Sequence, residues 1–154
     1  IEPFLSQVAI LSNTTITLVL SLFGVARIGG SILFSNFYNK NRKRFILVSL
    51  FSLTLVLFLL KPSTVSIITL LLMCIVWGTS STAFNVACQS ETMLATDENT
   101  SSVAMSIFSG IFNLGIGLGS FIGGQTINLI NIQSIGYVAG IISILGIIFY
   151  ISRR

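Results

Sequence analysis

Five apolar runs dominate this sequence, at residues 15–38, 45–60, 65–88, 103–127 and 135–151. Each approaches the length that crosses a bilayer as a helix, and polar breaks separate them, the longest being residues 89–102, expected as a loop. That repetition admits few folds. In lipid, every backbone N–H and C=O must be satisfied by the protein itself, so only helices and closed barrels span. The strict apolar/polar alternation of a barrel is absent, which leaves a bundle of membrane helices. Composition agrees. The chain is 53% hydrophobic and only 8% charged, against roughly 25% charged in a soluble domain. So few charges cannot cover a water-facing surface. The expectation is an all-α, multi-pass membrane protein, with residues 1–154 forming a single unit and no soluble domain.

Residues 45–60 give about 24 Å of helix, short of a hydrocarbon core of roughly 30 Å. Arg44 and Lys61 flank this run, and their long side chains can snorkel to close the gap. Residues 1–10 look like the tail of a helix begun upstream, ended by the polar break Ser12, Asn13 and Thr14. The sequence starts on Ile1, with no basic stretch or cleavage site before the first apolar residues. The expectation is therefore a fragment whose N-terminal part is missing. Five full spans and one partial span fit a six-helix unit cut inside its first helix.

Charge suggests an orientation. Lys40, Arg42, Lys43 and Arg44 lie between the first two runs, and Arg153 and Arg154 follow the fifth. Five crossings put both groups on one side, while the other side has only Lys61. Lys and Arg mark the cytoplasmic side. The expected topology has residues 2–14 outside, and the basic loop and C-terminus in the cytoplasm. A nucleic-acid partner does not suit so short a loop between two membrane runs. Cys74 and Cys88 share one run and would lie about 21 Å apart on a helix, too far to bridge. With no histidine and few acids, neither a transition-metal site nor a cofactor is expected. No nucleophile–base pattern suggests an enzyme.

The stretches "IEPF", "GVARIGGSILFSNFYNKNRKR", "VAMSIFSGIFNLGIGLGSFIGG" and "SIGYVAG" resemble the C-terminal half of bacterial sugar efflux transporters of the arabinose type. These belong to the drug:proton antiporter branch of the major facilitator superfamily. The resemblance covers nearly the whole chain, and "SGIFNLGIGLG" is its most specific part. It implies a twelve-helix fold of two six-helix halves with a central substrate path. This chain would hold the end of helix 7 and all of helices 8 to 12. The family's loop signature, roughly G-x-L-x-D-R-x-G-R-R, would start here at Ser35, with Phe37 for Leu, Asn39 for Asp and Lys40 for Arg. Both the glycine and the aspartate are replaced.

Candidate site residues follow from polarity in apolar runs. Arg27 lies about 18 Å into its span, where a central arginine costs about 2.5–3.5 kcal/mol on insertion scales. A carboxylate, carbonyls, a watery cavity or an anionic substrate would offset that cost; snorkelling to the cytosol is the alternative. In the third run Gly78, Thr82, Asn85 and Gln89 recur at helical spacing, with Trp77, Ser81, Phe84 and Cys88 beside them. One broad face results. Hydroxyls, amides and an aromatic shelf suit sugars and mixed polar–apolar drugs. The resemblance implies that this is helix 10, which lines the central cavity; plain helix packing is the alternative.

In the fourth run Gly115, Gly117 and Gly119 are not a nucleotide loop, because no strand precedes them. The pairs Gly115/Gly119 and Gly119/Gly123 instead allow close helix approach. Asn113 beside them needs a substrate or a neighbouring helix as partner. Glu2 could gate the outer end or accept a proton; a plainly solvated residue is the alternative. The resemblance also implies an inner latch, in which Arg42 or Arg44 pairs with Glu91. The function expected is proton-coupled export of small sugars or drugs by alternating access across the bacterial cytoplasmic membrane, with the other half supplying the main coupling carboxylate. A stand-alone membrane scaffold or assembly subunit is the alternative.

Overall fold

Capping side chains set where the helices begin. In the computed structural model, which describes residues 2–152, α1 (Glu2–Gln7) ends before Ile10. Ile10 takes a left-handed φ of 51°, which a β-branched residue adopts only under local strain. Ser12 then caps α2 (Asn13–Phe37), its Oγ accepting from the Thr15 N–H at 3.3 Å. The Asn41 Oδ1 accepts from the Arg44 N–H at 3.0 Å and starts α3 (Arg42–Leu59). A 3-10 turn opening on Pro62 leads into α4 (Ile67–Leu94). Asp97 and Glu98 open α5 (Glu98–Leu129), where acids meet the positive helix end. Asn131 turns the chain into α6 (Ile135–Ser152), its Oδ1 accepting from the Ser134 N–H at 2.9 Å. Arg153 and Arg154, part of the charge argument, lie outside the described residues.

Among the described residues, four stretches are long and apolar enough to cross a membrane: Asn13–Lys40, Ile67–Leu94, Glu98–Leu129 and Ile132–Ser152. The expected fifth, α3, differs. Arg42, Lys43 and Arg44 fill its first turn, leaving about 22 Å of apolar helix. Packing explains how so short a helix serves. α2 and α4 run parallel: Ile16 and Val19 cluster with Leu70 and Cys74, while Tyr38 clusters with Ala87. Two parallel neighbours require α3 to carry the chain back along them. The polar segment 89–102, expected as a loop, is mostly helix; α4 continues to Leu94 and α5 starts at Glu98. Side chains carry α4 onward, since Gln89 Nε2 donates to Asn85 Oδ1 at 2.6 Å and Thr92 Oγ1 to the Cys88 carbonyl at 2.9 Å.

α2 and α4 cross closely. A Cβ on Gly78 would sit 2.7 Å from the Phe23 carbonyl oxygen, and one on Gly30 would strike the Thr79 carbonyl. Small residues at such a crossing let backbones pack directly, the main source of helix association in lipid. α3 and α6 are antiparallel and meet through Gly136 and Gly140, packed against Leu57 and Phe58. Hydroxyls add links across helices. Ser80 Oγ donates to Ser52 Oγ at 2.8 Å, and the Thr54 and Ser143 hydroxyls lie 2.6 Å apart. Such bonds contribute about 0.6 kcal/mol each in membranes.

α5 stands apart. Ser101, Ala104, Met105 and Phe108 are half-buried near its start, and Gly123 and Thr126 are covered near its end. Everything between, residues 109–122, is exposed. A Cβ on Gly115 or Gly119 would meet nothing within 4 Å. The glycine pairs expected to pack therefore find no partner helix among the described residues, apart from Gly123 beside Ile135.

Candidate functional site

The tight α2–α4 crossing brings Arg27 to the polar stripe. Its Nε donates to Thr82 Oγ1 at 3.2 Å, one turn beyond Gly78. Both ends of this contact come from the small-residue seam, because larger residues at Gly30 or Gly78 would hold α2 off α4. The guanidinium has four further N–H donors, and Arg27 is exposed on the chain's surface. Thr82 and Asn85 are half-buried on the same helix. Asn85 accepts from Gln89, so the stripe is partly satisfied within itself. Ser81 bonds back to the Gly78 carbonyl at 3.0 Å.

The other candidates divide. Trp77 packs edge-on against Phe23, with ring centroids 5.6 Å apart. It lines a cavity of about 360 Å³ reached by Pro3, Gly119, Thr126 and Ala139. Phe84, read as part of the path, instead leans on the cluster of Tyr38, Ile46 and Ala87. Asn113 sits on the open stretch of α5, exposed and without a side-chain hydrogen bond among the described residues. Glu2 is exposed in the first turn of α1. Both cysteines are free.

At the basic end, Arg42 Nη1 lies 3.9 Å from Glu91 Oε1. Arg44 makes no ion pair among the described residues and faces a different groove. Sequence reasoning missed Tyr38. Its hydroxyl donates to the same Glu91 oxygen at 2.7 Å, and its ring stacks on Phe34 at 4.4 Å. Only 2% of Tyr38 is exposed, so the phenol is fixed and Glu91 is held by it. A tyrosine at the edge of an apolar run was the available signal, since such rings sit at the membrane interface. Arg42 and Glu91 keep 49% and 43% of their side chains exposed. Their attraction is therefore worth only about 0–1 kcal/mol, whereas a hydrogen bond to a carboxylate contributes about 1.5–3 kcal/mol.

Long apolar helices around a glycine seam, with a polar face along α4, define a multi-pass membrane protein. The chain belongs to the Major Facilitator Superfamily, whose family model matches residues 1–154. It is similar to a probable sugar efflux transporter of Pasteurella multocida, at 34% identity over 151 residues, covering 98% of this chain and 37% of that protein. A probable sugar efflux transporter of Mannheimia succiniciproducens is 34% identical over 151 residues, covering 98% of this chain and 38% of the relative. One from Helicobacter pylori is 35% identical over 150 residues, or 96% and 37% of the two chains. The chain thus spans well under half the length of the curated relatives it matches.

Proposed function

We propose that this chain is the C-terminal half of a transporter that exports small sugars or drugs in exchange for protons, by alternating access in the bacterial cytoplasmic membrane. It would correspond to the end of helix 7 and helices 8 to 12, with the basic loop and C-terminus in the cytoplasm. One observation carries the reading: Arg27 reaches Thr82 across the α2–α4 seam, at the head of a half-open polar face with Asn85. A charge held mid-span by one hydroxyl is costly unless a hydrated path or an opposite charge meets it. The open face of α5, with Asn113 and bare glycines, supports an N-terminal half packing there. The names of the relatives support sugars as one substrate class. Two states exposing one site alternately would then suffice for transport.

In this reading Arg27, Thr82, Asn85, Asn113 and Trp77 line the path, with Ser81 and Phe84 behind it. Glu2 guards the outer end; Arg42 and Glu91 close the inner one, and Arg44 sets topology. The test is the full-length protein in proteoliposomes with an imposed pH gradient and a panel of labelled sugars and drugs. The expected result is substrate movement driven by the gradient and abolished by a protonophore. Substrate movement indifferent to the gradient would overturn proton coupling. No movement of any substrate, with proven insertion, would favour a scaffold.

A further inference from the structure

A second groove, between α2, α3 and α4, takes no part in the candidate path. We propose that it holds one anionic glycerophospholipid, its phosphate at Lys40 and Arg44 and an acyl chain lying between α3 and α4. The groove encloses about 550 Å³. Lys40 and Arg44 stand at its mouth with Asn41. Lys40 is steered there by the ring of Phe37, whose centroid lies 5.0 Å from Nζ. Asn41 caps α3 and so fixes Arg44 at the first turn. Neither cation is ion-paired among the described residues; the acid on this side, Glu91, engages Arg42 and Tyr38 instead.

Below the mouth the lining turns apolar. Leu33, Phe37, Val48 and Val76 form exposed rims. Two hydroxyls of the floor already donate within the protein: Ser80 to Ser52, and Thr79 to the Ile75 carbonyl at 2.9 Å; Ser49 and Ser52 lie beside them. A hydrocarbon chain can therefore cover Ser80 and Thr79 without leaving their donors unsatisfied. Arg44 to Ser52 is eight residues of helix, about 12 Å, most of the roughly 15 Å half-thickness of a hydrocarbon core. A soluble anion would use the mouth and leave the walls wet. A zwitterionic lipid would use the walls and leave both cations unanswered. An anionic lipid uses both, and basic pockets between membrane helices suit such headgroups.

The experiment uses the full-length protein in phosphatidylcholine nanodiscs containing trace spin-labelled phosphatidylglycerol or phosphatidylcholine. The motionally restricted fraction gives relative association. Both leaflets contain the probe, so orientation and transport do not affect the readout. Each basic residue near an anionic headgroup is worth about fivefold, so Lys40→Gln with Arg44→Gln should cut phosphatidylglycerol association roughly 30-fold, towards that of phosphatidylcholine. Lys43→Gln, outside the lining, should cost less than fivefold. Val48→Trp fills the groove from an exposed rim position and should reduce retention of both lipids. Three results would each overturn the proposal. One is no preference for phosphatidylglycerol in the wild type, as when another part of the protein covers the groove. Another is Lys43→Gln costing as much as the double variant. The last is full retention in Val48→Trp.

Discussion

Tyr38→Phe removes one oxygen and leaves the ring stacked on Phe34 and edge-on to Phe45. What it loses is the 2.7 Å hydrogen bond to Glu91. If this contact latches the inner side, it exists in one state of the transporter and breaks in the other. Losing about 1.5–3 kcal/mol from one state shifts the equilibrium roughly 10- to 150-fold towards the open side. Arg42→Gln removes a 3.9 Å contact between half-exposed side chains and should shift it no more than about fivefold. The two variants are thus ranked, the buried phenol above the exposed guanidinium. The assay is thiol accessibility from the cytoplasmic side, at a cysteine placed in the path of the full-length protein, with and without each change. A double-mutant cycle on Arg42 and Glu91 gives the coupling directly. Unchanged accessibility in Tyr38→Phe, or a larger effect from Arg42→Gln, would refute the reasoning and leave Arg42 without a latch role.

Other outcomes follow from the same geometry. Gly78→Ala puts a methyl 2.7 Å from the Phe23 carbonyl oxygen; it should cost about 1–3 kcal/mol of stability, read as a lower melting temperature in detergent. Gly115→Ala meets nothing within 4 Å among the described residues and should leave melting unchanged while impairing transport, provided another helix packs there. Arg27→Gln should insert normally but lose or re-tune transport, and Thr82→Val should reproduce part of that change; identical kinetics for all three proteins would leave only snorkelling. A cysteine at Asn39 should be labelled from the cytoplasm alone and one at Val65, 91% exposed, from outside alone. Ser63 is a poor probe, because it is buried and bonded to the Leu60 carbonyl at 2.7 Å.

The helical class was legible because apolar runs of membrane length leave little else to build. Residues 89–102 were misjudged because polarity reports solvent, not loop. Asn85, Cys88, Gln89 and Thr92 bond at helical spacing, so α4 simply continues past its apolar part. The glycines carry a similar lesson. Gly78 and Gly115 look alike in sequence, each a small residue in an apolar helix. Only the neighbouring helix decides that one is sealed under Phe23 and the other is bare. Tyr38 went unnoticed because its partner Glu91 lies 53 residues away, and only the parallel course of α2 and α4 brings them level. Arg27, by contrast, stood out from its burial cost alone, and the structure supplies the hydroxyl it touches.

The attachment of α5 has a mechanical meaning. A helix of 32 residues is a rod of about 48 Å, and this one is pinned near both ends and loose between them. A rod so supported can bow sideways at mid-span while its ends stay put, and the deflection is spread over many backbone hydrogen bonds, each strained slightly. The glycine seam of α2 and α4 has no such compliance, since its backbones already touch. A push arriving from outside this unit on residues 109–122 would therefore meet a helix that this chain does not brace from within, before it reached the α2–α4 seam. The chain thus combines a stiff spine with one helix braced only at its ends within this unit, and that helix carries Asn113.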